Sequence, residues 1–205
     1  MRLAHRFILA LLVGMSGGGA ALAASTGDEP AWPCVQRKVP SLTPAAIWTG
    51  PMLDGAGNWH EDPEVAELVV RLSQRRLPDE EAVAEVEAFA AGLAPDEHER
   101  LTLLFAGLFE TMNAERSQII AGIERYGLRQ TQIAATVRKM ASDLEAMRRA
   151  PDADPQAVEE AQNALIWQTR IFNERRASLS YICEVPRLVE RRLFTLGRAV
   201  SKALP

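Results

Sequence analysis

The chain has 205 residues, of which 23 are Lys or Arg and 27 are Asp or Glu, giving a formal net charge of -4 at pH 7. An acidic balance provides no general attraction for the phosphate backbone, so nucleic acid is not an expected partner. The length fits a single domain that can bury a core of its own.

The first 23 residues have the pattern of a secretory signal peptide. Arg2 and Arg6 precede an apolar run over residues 7–23, which ends in the small residues Ala21 and Ala23. We expect cleavage after Ala23 and a periplasmic or secreted mature protein. A retained anchor is the alternative, but the run is diluted by glycine and is shorter than the roughly 20 residues of a spanning helix. Cleavage would remove two basic and no acidic residues, which leaves a net charge of -6.

The sequence has two cysteines, Cys34 and Cys183. In an oxidising compartment two cysteines favour a disulfide over two free thiols. In the chain-entropy model, a bond that closes so long a loop stabilises the fold by about 4–5 kcal/mol. A redox role is not predicted, because the sequence has no C-x-x-C motif. We therefore expect a structural bond between the N-terminal segment and the C-terminal region.

Residues 24–60 are interrupted by proline and glycine, which predicts an irregular N-terminal arm with one short helix over residues 44–48. Trp32, Trp48 and Trp59 all fall in this arm. Docking of these side chains against a helical body would recover the entropy lost when the arm becomes ordered. A ligand platform made of the three rings is the alternative interpretation.

Residues 61–205 are predicted to form one helical domain. Five prolines stand where a helix could begin, because the first helical position does not need a backbone N–H. These candidate starts are Pro63, Pro78, Pro95, Pro155 and Pro186. In the first helix Val65, Leu68, Val69 and Leu72 have the spacing of one buried face.

The strongest pattern predicts two long helices, over about residues 95–149 and 155–184, with a coiled-coil-like seam. A short turn at residues 150–154 joins them, so the expected fold is all-α and contains a long antiparallel helical hairpin with short helices packed at its base. The helix over residues 95–149 carries the seam residues Phe105, Phe109, Met112, Ile119, Ile123, Tyr126, Ile133, Val137, Met140, Leu144 and Met147. The helix over residues 155–184 carries Val158, Ala161, Leu165, Phe172, Leu179 and Ile182.

The turn sets the register of the hairpin. Counting outward from it pairs Gln130 with Arg175, so two polar interruptions of the seam face one another. The same register places Cys183 beside Gly122, at the base of the hairpin. At 1.5 Å per residue the paired helices extend about 35 Å from base to turn, so we expect the tip to project into solvent.

A last helix is predicted over residues 186–204. Its apolar stripe is made of Val189, Leu193, Leu196, Val200 and Leu204. Basic residues surround this stripe, and with two arginines near the hairpin turn they form a candidate interaction surface. These residues are Arg148, Arg149, Arg187, Arg191, Arg192, Arg198 and Lys202. A stripe with basic flanks is typical of core helices and also of helices that bind anionic membrane surfaces.

Motifs for chemistry are weak. Trp59, His60 and the neighbouring acids provide an imidazole beside carboxylates, but Asp62 is also predicted to cap a helix. His98-Glu99 is followed by Thr102 where a zinc-protease helix needs its second histidine. No catalytic residue, metal, cofactor or small-molecule substrate is predicted. The sequence favours an exported, non-catalytic interaction or structural protein of the bacterial cell envelope, with an unknown envelope protein or a second copy as partner. The alternatives are membrane-surface association through the last helix and an enzyme with a site near Trp59 and His60.

Overall fold

The computed structural model describes residues 32–205, and the predicted signal peptide lies outside this range. Within this range four α-helices follow one another: α1 (Pro63–Leu72), α2 (Asp79–Gly92), α3 (Glu99–Arg149) and α4 (Pro155–Ala203). Short 3-10 turns cover Pro44–Ala46, Leu53–Gly55, Trp59–Glu61 and Pro95–Glu97. The all-α prediction is confirmed, and residues 32–205 contain no β-strand.

The hydrophobic core lies in a body formed by α1, α2, the first part of α3 and the last part of α4. The four apolar residues predicted for the buried face of α1 are all buried. Asp62 caps this helix, since its Oδ1 accepts a hydrogen bond from the backbone N–H of Val65 at 3.1 Å. Arg100 donates to both carboxylate oxygens of Asp62, at 2.7 and 2.9 Å, and so connects α1 to the start of α3.

Proline marks the helix starts with varying accuracy. Pro63 and Pro155 are the first helical residues of α1 and α4, as predicted. Pro78 precedes α2 by one residue, and Pro95 begins a separate 3-10 turn rather than α3. The helix predicted over residues 44–48 is also a 3-10 turn of three residues.

The prediction of a separate helix from Pro186 is wrong, because Pro186 lies inside α4. A proline within a helix removes one backbone hydrogen bond and is costly in isolation, by about 3 kcal/mol. Packing compensates for it here. Cys183 and Val189 are buried on either side of the buried Pro186. The core-facing side chains therefore continue in phase across the proline, and the segments 155–184 and 186–204 are one helix.

The rest of α3 and α4 forms the antiparallel hairpin. Its residues from about 124 to 180 lie outside the hydrophobic core of the body, and most of its seam positions are half-buried. Leu144, near the turn, is buried between the two helices. No helix within residues 32–205 is long and apolar enough to cross a membrane.

Candidate interaction surfaces

The base of the hairpin is linked to the N-terminal arm by the predicted disulfide. Cys34 and Cys183 are bonded, with their Cα atoms 5.7 Å apart. Arg116 of α3 is buried nearby. Its Nε pairs with Glu190 of α4 at 2.7 Å, and its guanidinium also donates to the carbonyl of Val39 in the arm at 2.7 Å. Arm, α3 and α4 are therefore held together at this level.

The three arm tryptophans lie at separate places along α3, so they form no common platform. Trp48 is 8% exposed and stacks on Phe105, with ring centroids 4.1 Å apart. The indole N–H of Trp59 donates to Glu110 at 2.9 Å. Trp32 lines a cavity beside the disulfide. These positions confirm the interpretation of Trp48 and Trp59 as docking anchors, whereas the indole N–H of Trp32 donates to the carbonyl of Gln36 within the arm.

The predicted register of the hairpin is confirmed at its polar layer. Arg175 Nε donates to the side-chain oxygen of Gln130 at 3.3 Å. Gln130 in turn donates to the carbonyl of Phe172 at 2.9 Å. Tyr126 stacks under the Arg175 guanidinium, 4.3 Å from ring centroid to carbon, and donates its hydroxyl hydrogen to the Arg175 carbonyl. A shift of one residue would break these contacts and leave polar groups unpaired in the seam.

Above this layer α4 carries an apolar patch that faces solvent. The side chains of Ile166 and Trp167 are 58% and 62% exposed. Arg170 lies over the indole at 5.8 Å and pairs with Glu174, which fixes one edge of the patch. We call Ile166 and Trp167 the hairpin patch. The sequence contained the signal for it, because both residues fall between the seam positions 165 and 168 and so point outward.

Arg192 was predicted on the interaction surface, and the structure shows that this is wrong. The side chain is 4% exposed and lies in the body. Its guanidinium donates to the carbonyls of Leu72 and Leu77 at 2.9 and 2.8 Å and pairs with Asp79 at 2.6 Å. Arg192 therefore closes the connection between α1 and α2. Arg192 lies beside the buried Leu193 on α4, so its side chain contacts the connection between α1 and α2 and is not exposed to solvent.

The other predicted basic residues are exposed, but they divide into two groups. Arg148 and Arg149 lie at the hairpin turn. The second group lies along the part of α4 that packs in the body, where Phe194 is also exposed. We call the four basic residues of this group, together with Phe194, the basic ridge. Its members are Arg187, Arg191, Phe194, Arg198 and Lys202. The apolar stripe of the same helix faces the core, where Val189, Leu193, Leu196 and Val200 are buried. It is therefore not available to a membrane.

The residues considered for catalysis have structural contacts. His60 is exposed, and its Nδ1 is 3.1 Å from Asn58 Oδ1. Asp62 is held by Arg100, whose hydrogen bond is the main reason that the pKa of Asp62 lies below its ordinary value of 3.8. His98 Nδ1 contacts the carbonyl of Pro95 at 2.7 Å. In the part of the chain that the structure describes, no group of three or more His, Cys, Asp or Glu side chains is placed to hold a metal ion.

Comparisons with known proteins add no family. No family model, no curated protein and no solved structure matches this chain. The functional argument therefore depends on the surfaces described above.

Proposed function

We propose that this protein is an exported, non-catalytic interaction protein of the bacterial cell envelope and that the hairpin patch contacts its partner. One observation carries the proposal. Ile166 and Trp167 are adjacent apolar side chains that are both more than half exposed, on a part of α4 that within residues 32–205 packs against α3 alone. Exposed indole is uncommon on surfaces without a partner, and tryptophan is enriched at the energetic centres of interfaces.

The division of the fold into a body and a hairpin supports the same proposal. The body holds the core, the arm and the disulfide, whereas the hairpin extends from it with half-buried seam residues. At 1.5 Å per residue, Trp167 lies about 30 Å along α4 from Arg187, the first residue of the basic ridge. A projecting element of this kind can reach a partner without any change in the body. The partner is either another envelope protein or a second copy of this chain.

The test uses the mature protein with I166S and W167S combined. The matched control carries M52S and V70S, which remove two exposed apolar side chains from the body. Sedimentation velocity measures self-association, and quantitative affinity capture from the periplasmic fraction measures a different partner. We expect the hairpin variant to have an affinity at least tenfold lower than that of the wild type, for a second copy or for the captured partner. The control variant should keep the wild-type affinity. Equal binding by both variants would refute the patch.

Export is tested separately. N-terminal sequencing of the protein recovered from the periplasm or the medium should begin at Ala24. Recovery of the unprocessed chain in the cytosol would contradict the envelope location, whatever the hairpin binds.

A further inference from the structure

The basic ridge is a second exposed surface, and it is distinct from the hairpin patch. At 100° per residue its five side chains fall within an arc of about 80° on α4. From Arg187 to Lys202 it extends along the helix for about 22 Å. Four of its five members are cationic in a chain whose net charge is -4. This concentration of charge is opposite in sign to that of the whole molecule.

Within residues 32–205, three of the four cations form no salt bridge with a carboxylate. Arg187 lies 3.6 Å from Glu184, and both side chains are about half exposed. Among residues 32–205, Arg191 and Lys202 have no carboxylate within 4.0 Å. The Arg198 guanidinium lies over the Phe194 ring, 5.8 Å from its centroid. Phe194 is itself 46% exposed, so the ridge combines unneutralised charge with one apolar side chain at the surface.

The C-terminal part of the ridge, made of Phe194, Arg198 and Lys202, stands out from its surroundings. On one side a cleft of about 460 Å³ separates it from Ile47 and Thr49 of the arm. On the other side a cleft of about 210 Å³ separates it from Val83 and Glu87 of α2. These three side chains are raised between two depressions, and a raised line fits a flat surface better than a peptide, which would occupy a groove. Glu87 is the acidic side chain among the residues that line these two clefts.

We infer that the basic ridge binds the surface of an anionic phospholipid bilayer. The cations would pair with headgroup phosphates, and Phe194 would enter the interface between headgroups and acyl chains. This binding differs from association through the apolar stripe of α4, which is buried in the core. The inference is independent of the hairpin contact, because the two surfaces share no residue.

The experiment is co-sedimentation of the purified mature protein with vesicles of equal parts phosphatidylglycerol and phosphatidylcholine. Vesicles of phosphatidylcholine alone are the reference. We expect binding that depends on phosphatidylglycerol and weakens as salt is raised. Removing one surface cation lowers the partition coefficient about fivefold, so R191Q, R198Q and K202Q combined should lower it about a hundredfold. The F194S variant should lower it by a smaller factor, roughly tenfold or less.

The matched control removes three exposed cations from the hairpin with R138Q, R148Q and R149Q. It has the same net charge as the ridge variant and should bind like the wild type. Far-UV circular dichroism and the urea midpoint verify that each variant is folded. Absence of phosphatidylglycerol-dependent pelleting by the folded wild type would overturn the inference. Equal loss in both triple variants, or equal binding to phosphatidylcholine alone, would overturn it as well.

Discussion

Two glycines of α3 should respond in opposite directions to the same substitution. Alanine is favoured over glycine within a helix by about 1 kcal/mol, so G122A and G107A both gain this term. At Gly122 the nearest atom to an added Cβ is Arg125 Nη2, the end of a flexible side chain, at 3.8 Å. We therefore expect G122A to stabilise the protein by up to about 1 kcal/mol.

At Gly107 the added carbon would lie 2.7 Å from Val69 Cγ2 and 2.9 Å from Trp59 Cδ2. Both contacts are too short, and the Trp59 ring is held by its hydrogen bond to Glu110. Overpacking of this kind typically costs about 1–3 kcal/mol, which offsets or exceeds the helix term. The net effect of G107A should therefore be a loss of up to about 2 kcal/mol, and the two variants should differ by about 1–3 kcal/mol.

Urea unfolding followed by far-UV circular dichroism measures both free energies of unfolding. A third variant tests the cause. In a V69A background the shortest contact is gone, so G107A should cost less there than in the wild type. A G107A protein as stable as G122A would show that the arm does not pack against α3 as described. An unchanged cost in the V69A background would show that Val69 is not the obstacle.

Three further predictions concern polar and covalent links. R192M should lower the free energy of unfolding by about 3 kcal/mol, since it leaves buried carbonyls without a donor, and a urea midpoint near that of the wild type would contradict this. The folded-state pKa of Asp62 is lowered, chiefly by the Arg100 hydrogen bond, so its contribution is complete above its ordinary value of 3.8 and disappears as pH falls through the folded value. The stability advantage of wild type over D62N should therefore be constant between pH 7 and 5 and shrink below about pH 4, and an advantage that grows on acidification would refute the assignment. Replacing Cys34 and Cys183 by serine should cost about 5 kcal/mol for a bond spanning 149 residues, whereas a loss under about 1 kcal/mol would mean that the bond constrains only the arm.

The hairpin register could be predicted from sequence because its polar interruptions are few. Gln130 and Arg175 are isolated polar residues in otherwise apolar seams, and a short turn leaves little freedom in how the seams align. The contact between them follows from counting alone. The disulfide was predictable for a similar reason, since two cysteines allow one intramolecular pairing.

The errors occurred where tertiary packing overrides a local rule. Pro186 has the local features of a helix start, and only the burial of its neighbours on both sides explains why α4 continues through it. The charge of Arg192 predicts a surface position. Its burial depends on the carbonyls of Leu72, at the end of α1, and of Leu77, in the loop that follows, and no spacing rule places these carbonyls beside α4. The composition of the basic ridge could not be predicted either, because the charged Arg192 of the same helix is buried and the apolar Phe194 is exposed.

The long separation of the two cysteines also determines the order in which the chain can assemble. Cys34 precedes Cys183 by 149 residues, so on a chain that is exported N-terminus first its thiol has no partner until almost the whole domain has emerged. The anchors of the arm meet their contacts much earlier, since Trp48 stacks on Phe105 and Trp59 bonds Glu110. Aromatic docking can therefore align the arm on α3 before Cys183 arrives, and formation of the sulfur–sulfur bond completes an arrangement that side-chain packing has already selected.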